Sequence, residues 1–109
     1  MYIYNGQLGY QVGSQSGAGG AVAANQWNHV AVVRSGTTVK LYINGTNDGT
    51  LNAFSSALTA SYGPTVVGNS SNNAGTTYFN GYISDLRVTK GYGRYTSTFT
   101  PSIAPVKLQ

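Results

Sequence analysis

The sequence offers little with which to move a proton. Two carboxylates, Asp48 and Asp85, and one imidazole, His29, are its whole supply of neutral-range acids and bases, and it has neither glutamate nor cysteine. Glycoside hydrolysis generally needs a pair of carboxylates flanking the bond. Asp48 sits in Asn47-Asp48-Gly49, where a turn role through its side chain explains it. Asp85 is followed by Arg87 and, further on, Arg94, and reads as an ion-pair anchor for the loop at Gly91. A nucleophilic triad would have to use His29, but that residue opens an apolar run two positions after Trp27 and reads as structural. The expectation is no enzyme and no catalytic residues.

Binding chemistry has more material. Calcium takes about six to eight oxygen ligands. Asn47 with Asp48, Asp85, and the loop at 69–73 are the candidates. With one carboxylate per cluster they make weak sites, so no cofactor is expected and calcium is the only metal admitted. Tyr92, Arg94, Tyr95 and Phe99 form a basic-aromatic corner, and Asn72 and Asn73 lie on a polar loop. These suit a sugar platform or a protein interface, since Tyr and Arg are enriched at hot spots. The alternative for Tyr95 and Phe99 is that they cap the edge of a sandwich.

The elements that would carry these residues read as strands. Gly, Tyr, Ser, Thr and Asn dominate, a composition of turns and pleated surfaces. Residues 2–12 read as a strand broken by the hairpin dipeptide Asn5-Gly6. Residues 13–20 read as a Gly/Ser loop, and 21–24 as a short strand. Residues 27–34 read as a central strand. Val39, Leu41 and Ile43 alternate with Lys40, Tyr42 and Asn44, the pattern of a half-buried strand. Asn44-Gly45 and Asp48-Gly49 both read as turns. Residues 54–62 fit either a helical turn or an irregular crossing, 65–68 a short strand, and 69–75 a tip loop. Residues 78–88 read as the last long strand, with a β-bulge near Ser84-Asp85. Pro101 and Pro105 make 102–109 an extended arm, leaving 1–101 as the sandwich domain.

Only 7% of the residues are charged, and the net charge of +4 comes from six basic residues spread along the chain. A nucleic-acid binder gathers such charge on one face, so nucleic acid is not an expected partner. No apolar run approaches membrane-spanning length, and Met1-Tyr2-Ile3-Tyr4-Asn5-Gly6 lacks the features of a signal peptide. A small domain without disulfides needs another source of stability, and oligomerisation is one.

Two segments carry a resemblance. One runs from Gly81 through Asp85-Leu86-Arg87-Val88-Thr89-Lys90-Gly91, then Arg94-Tyr95-Thr96 and Phe99-Thr100-Pro101. The other is Trp27-Asn28-His29-Val30-Ala31-Val32-Val33-Arg34, continuing to Asn44-Gly45. Together they resemble the C-terminal half of a laminin-G-like, concanavalin-A-like jelly roll of the kind found in phage virion and tail proteins. The resemblance implies an all-β fold, an antiparallel β-sandwich in compact or truncated form. It implies structural roles for Trp27, His29, Asp85 and Arg87. It also implies strands before the equivalent of Tyr2; a fragment, a compact variant that closes its sandwich with fewer strands, and strands supplied by another subunit would each account for their absence, and an assembly is favoured.

The function expected on this basis is a non-enzymatic phage virion protein, a capsid decoration (cement) or tail-associated module. Its partners would be itself, as a homo-oligomer with trimers favoured, and other virion proteins. It would be made in the host cytoplasm and end in the virion. The alternative is a carbohydrate-binding, lectin-like module of a receptor-binding or adhesion protein, with glycans as partners. Neither reading involves a membrane.

Overall fold

The computed structural model describes residues 1–12, 15–51, 54–55, 66–69 and 78–103. The chain divides into two units, one of residues 1–57 with 89–104, the other of residues 58–88 with 105–109.

The first unit contains six strands in two antiparallel sheets of three. β1 (Tyr2–Tyr4), β2 (Gln7–Val12) and β3 (Gln15–Ala21) form one sheet, in that order. β4 (Val30–Ser35), β5 (Thr38–Ile43) and β6 (Thr46–Leu51) form the other. Among the described residues, three hairpins have two-residue loops. Asn5-Gly6 and Asn44-Gly45 have positive φ at both positions, at 48° and 73° and at 50° and 84°, the type I′ turn that matches strand twist. Gly36, at φ 58°, joins β4 to β5 with positive φ at the first loop position only, as in type II′.

The core lies between the sheets. Leu8 and Tyr10 of β2 meet Val39, Leu41 and Ile43 of β5, and Phe54 closes the end. The Tyr10 and Phe54 rings meet edge-on at 6.0 Å, and the Arg34 guanidinium lies 4.6 Å from the Phe54 centroid. β5 is buried on both faces, more than its alternation suggested: Tyr42 is inaccessible and Lys40 half-buried.

Two expected loops are strands. Residues 15–20 belong to β3, and Asp48-Gly49 lies within β6. The pairing explains both. β2 and β3 slip register between Gln7–Ala21 and Gly9–Ala18, and β5 and β6 slip between Leu41–Gly49 and Tyr42–Asn47. Each slip places an extra residue on the outer strand, a bulge. The two bulges face each other. A Cβ on Gly19 would stand 3.1 Å from the Asp48 carbonyl oxygen, and one on Gly49 would stand 3.1 Å from Gly19 Cα. The small residues of β3 therefore mark close sheet contact. The strand expected at 21–24 ends at Ala21, and β4 starts at Val30, three residues later than expected from Trp27.

In the second unit, Asn69 and Tyr78 form an isolated antiparallel bridge, and Phe79 N–H donates to Gly68 C=O at 2.9 Å. Val66 and Val67 are exposed and not in a strand. The long strand expected over 78–88 has no ladder beyond that bridge among the described residues. Its sequence has strand pattern, but a strand requires a hydrogen-bonding neighbour. The β-bulge expected near Ser84-Asp85 does not form, because no ladder runs there among the described residues; Asp85 instead takes a left-handed backbone at φ 53°. Residues 56–65 and 70–77, with the expected loop residues Asn72 and Asn73, lie outside the described residues. So does 104–109 of the expected arm, while Ser102 and Ile103 are exposed. Among the described residues no helix is long and apolar enough to cross a membrane.

Candidate functional site

The basic-aromatic corner closes over the outer face of β4 and β5. Gly91, at φ 101°, turns the chain. Gly93 then passes so close to the sheet that a Cβ would stand 3.1 Å from Val33 Cγ1 and 3.2 Å from the Arg34 carbonyl oxygen. Beyond it, Tyr95 and Phe99 stack face to face, 3.6 Å apart and 7° from parallel. Both rings lie on Tyr42, at 6.2 and 5.4 Å, and on His29, at 5.9 and 5.3 Å. Covering a ring as completely as Tyr42 is worth roughly 2–3 kcal/mol.

Hydrogen bonds fix this strap. Phe99 N–H donates to Gly45 C=O at 3.0 Å. Lys40 Nζ donates to Thr96 C=O at 2.7 Å, and Tyr42 Oη–H to Tyr95 C=O at 3.4 Å. Burial raises the Tyr42 phenol above its ordinary pKa, so it remains a donor. Tyr95 and Phe99 thus cover a sheet face.

His29 is the node of the arrangement. Its N–H donates to Asn44 Oδ1 at 2.9 Å, and Asn44 N–H returns to His29 C=O at 2.8 Å. Asn28 joins by accepting from Asn44 Nδ2 at 3.2 Å. The His29 Nδ1 atom is buried with no hydrogen-bond partner. Burial lowers the imidazole pKa below its usual value, and a backbone hydrogen bond opposes the shift less strongly.

Beneath the strap is an open cleft of about 230 Å³, lined by Val33, Ser35, Thr38, Lys40, Tyr95 and Thr96. It combines an apolar floor, an aromatic wall, three hydroxyls and one ammonium group. Lys40 and Tyr42 carry much of this site and were not singled out from the sequence. The available signal was their i, i+2 spacing, which puts both on one strand face.

The remaining candidates are dispersed. Arg94 Nη2 donates to Tyr92 Oη at 3.2 Å and its guanidinium lies 5.9 Å from that ring, while its Nε is buried without a partner. Asn47 Oδ1 accepts from Gly49 N–H at 3.4 Å, so the turn role expected of Asp48 falls to its neighbour. Asp48 itself stands against Gly20, whose Cβ would lie 2.7 Å from Oδ1. Asp85 is exposed and accepts from Ser84 Oγ at 3.3 Å, and Arg87 is exposed. Trp27 is 70% exposed, not packed as expected, because it lies in the loop before β4. Among the described residues no three His, Cys, Asp or Glu side chains gather around a common point.

Two antiparallel sheets packed through one core, with the C-terminal segment strapped over an outer face, define a jelly-roll-type β-sandwich. Residues 1–92 match the family described as the concanavalin A-like lectin/glucanases superfamily, of laminin-G type. The chain belongs to that family. A solved structure similar to it is the 2.1 Å crystal structure of an S-layer domain-containing protein (residues 221–444) from Clostridium thermocellum ATCC 27405, with 32% identity and a TM-score of 0.58. The match covers 72% of this chain and 40% of that one. The comparison with curated proteins returned no match.

Proposed function

We propose that the protein is a non-enzymatic structural module that acts through protein–protein contacts in a larger surface assembly, as a decoration or tail-associated component of a phage virion. The observation that carries this reading is the exposure of apolar side chains along 78–88. Tyr78, Phe79, Tyr82, Ile83, Leu86 and Val88 are all exposed, Tyr82 at 87% and Val88 at 84%. Exposed apolar groups on this scale are characteristic of interaction surfaces. The segment has strand pattern and, among the described residues, no ladder beyond the Asn69–Tyr78 bridge, and such a segment gains backbone hydrogen bonds by pairing with another chain. Met1 and the residues of the edge strand β1, Tyr2, Ile3 and Tyr4, are exposed as well. The similar solved structure is named for an S-layer domain, an association with surface arrays that fits an assembly role.

The test is copurification with particles. The reading expects the protein to sediment with purified virions and to be lost when Tyr82 and Leu86 are both changed to Ser. Free protein in the supernatant, with particles lacking it, counts against the virion role.

A second reading, saccharide binding, has its own observation: the cleft beneath the strap sets the Tyr95 ring beside the hydroxyls of Ser35, Thr38 and Thr96. Aromatic rings with hydroxyls around them suit the mixed apolar and polar faces of a sugar.

A further inference from the structure

We infer that the cleft beneath the strap is a subsite for a carboxylate-bearing sugar, a uronic acid residue of an acidic glycan. The inference rests on the saccharide reading of the same cleft and adds the charge of its ligand.

Three features carry it. The first is size. At about 230 Å³ the cleft falls below the roughly 300 Å³ at which drug-sized pockets begin, so it suits a single ring. The second is the distribution of polar groups. Val33 provides an apolar floor and Tyr95 a ring wall, with Phe99 stacked on one face of that ring. Ser35, Thr38 and Thr96 supply hydroxyls that both donate and accept, as sugar hydroxyls require. The third is charge. Lys40 is the one charged residue lining the cleft, and none of the lining residues is acidic.

An ammonium group has three donors. Lys40 gives one to Thr96 C=O at 2.7 Å, which fixes the group at the cleft and leaves two for a ligand. Its charge is not balanced from within the lining. A neutral sugar would leave that unchanged, whereas a carboxylate would accept a charge-assisted bond, roughly twice as strong as a neutral one. The wider field has the same sign. Arg94 adjoins Tyr95 in sequence, and the chain carries six basic residues against two acidic. Such an excess draws anions toward a cleft.

The experiment is a titration of the full chain with glucuronate, glucose and acetate, followed by amide chemical shifts. Glucuronate is expected to move Ser35, Lys40 and Thr96, with glucose about tenfold weaker. Lys40→Gln keeps a donor for Thr96 C=O and removes the charge. It should abolish the preference for glucuronate over glucose. Equal binding of the two sugars by the unaltered protein overturns the charge assignment while the saccharide reading stands. Acetate reproducing the glucuronate shifts at equal affinity overturns the sugar assignment. No shift at these residues with either sugar overturns both.

Discussion

Gly45 is the point where strap and hairpin depend on one another. It is buried, holds φ 84° and accepts the Phe99 N–H bond. A Cβ there would run into the Phe99 carbonyl oxygen and stand 3.1 Å from Pro101 Cδ. Gly45→Ala therefore carries two costs. The left-handed backbone costs an alanine about 1–2 kcal/mol. Displacing Phe99 forfeits a hydrogen bond worth about 1 kcal/mol and ring packing worth about 1 kcal/mol more. The expected loss is about 3–4 kcal/mol, and at roughly 4–8 °C per kcal/mol for a domain near this size Tm should fall by 10 °C or more. Gly36→Ala is the control. Gly36 also has positive φ, at 58°, but a Cβ there meets nothing within 4 Å, so it incurs the backbone cost alone. Urea unfolding of both variants, with near-ultraviolet dichroism reporting the tyrosines, isolates strap docking as a difference of about 2 kcal/mol. Equal destabilisation by the two substitutions would refute the docking of Phe99 on Gly45.

Three further outcomes follow from the same contacts. His29 has a pKa below its unfolded value, so the unfolded chain binds protons more readily. Stability present above pH 6.5 or so should then be lost as the pH falls through the folded pKa, and His29→Phe should flatten that dependence in urea midpoints measured across the acid range. Tyr42→Ala should cost about 3–5 kcal/mol by removing a buried ring. Tyr42→Phe should cost under about 1 kcal/mol, since its hydroxyl bond to Tyr95 is long at 3.4 Å; thermal melts of the pair separate packing from hydrogen bonding. Gly19→Val should destabilise by about 1–3 kcal/mol, because its side chain would meet the Asp48 carbonyl and Leu41 where the two bulges face, and denaturant midpoints read the loss.

The hairpins were legible because their signals are local. Asn5-Gly6 and Asn44-Gly45 name their own turn, and both form it. The alternation of Val39, Leu41 and Ile43 located the core face of β5. What sequence misplaced depends on distant neighbours. Residues 15–20 have loop composition, yet they form β3 by pairing with β2, and β6 packs against them so closely that a Cβ at Gly19 would crowd the Asp48 carbonyl oxygen. Asp48-Gly49 reads equally as turn or bulge, and the slip between β5 and β6 decides for the bulge. The pattern of 78–88 is that of a strand, but pattern cannot supply a partner. In the site, a cap was one of two readings that Tyr95 and Phe99 allowed, beside an interface or sugar platform. Their seat was not legible, because Tyr42 lies 53 residues from Tyr95 in sequence, and nothing in the alternation of β5 marks its polar face for burial.

The proposal that this chain works by association is most directly tested by its mass in solution. Sedimentation velocity over a wide concentration range should give reversible self-association, with a trimer as the favoured limit. Changing Tyr82 and Leu86 together to Ser should shift the protein to monomer, and at concentrations dilute enough for both proteins to be monomeric it should leave Tm unchanged, because both side chains are exposed. A monomer at every concentration, indifferent to those substitutions, would contradict the account.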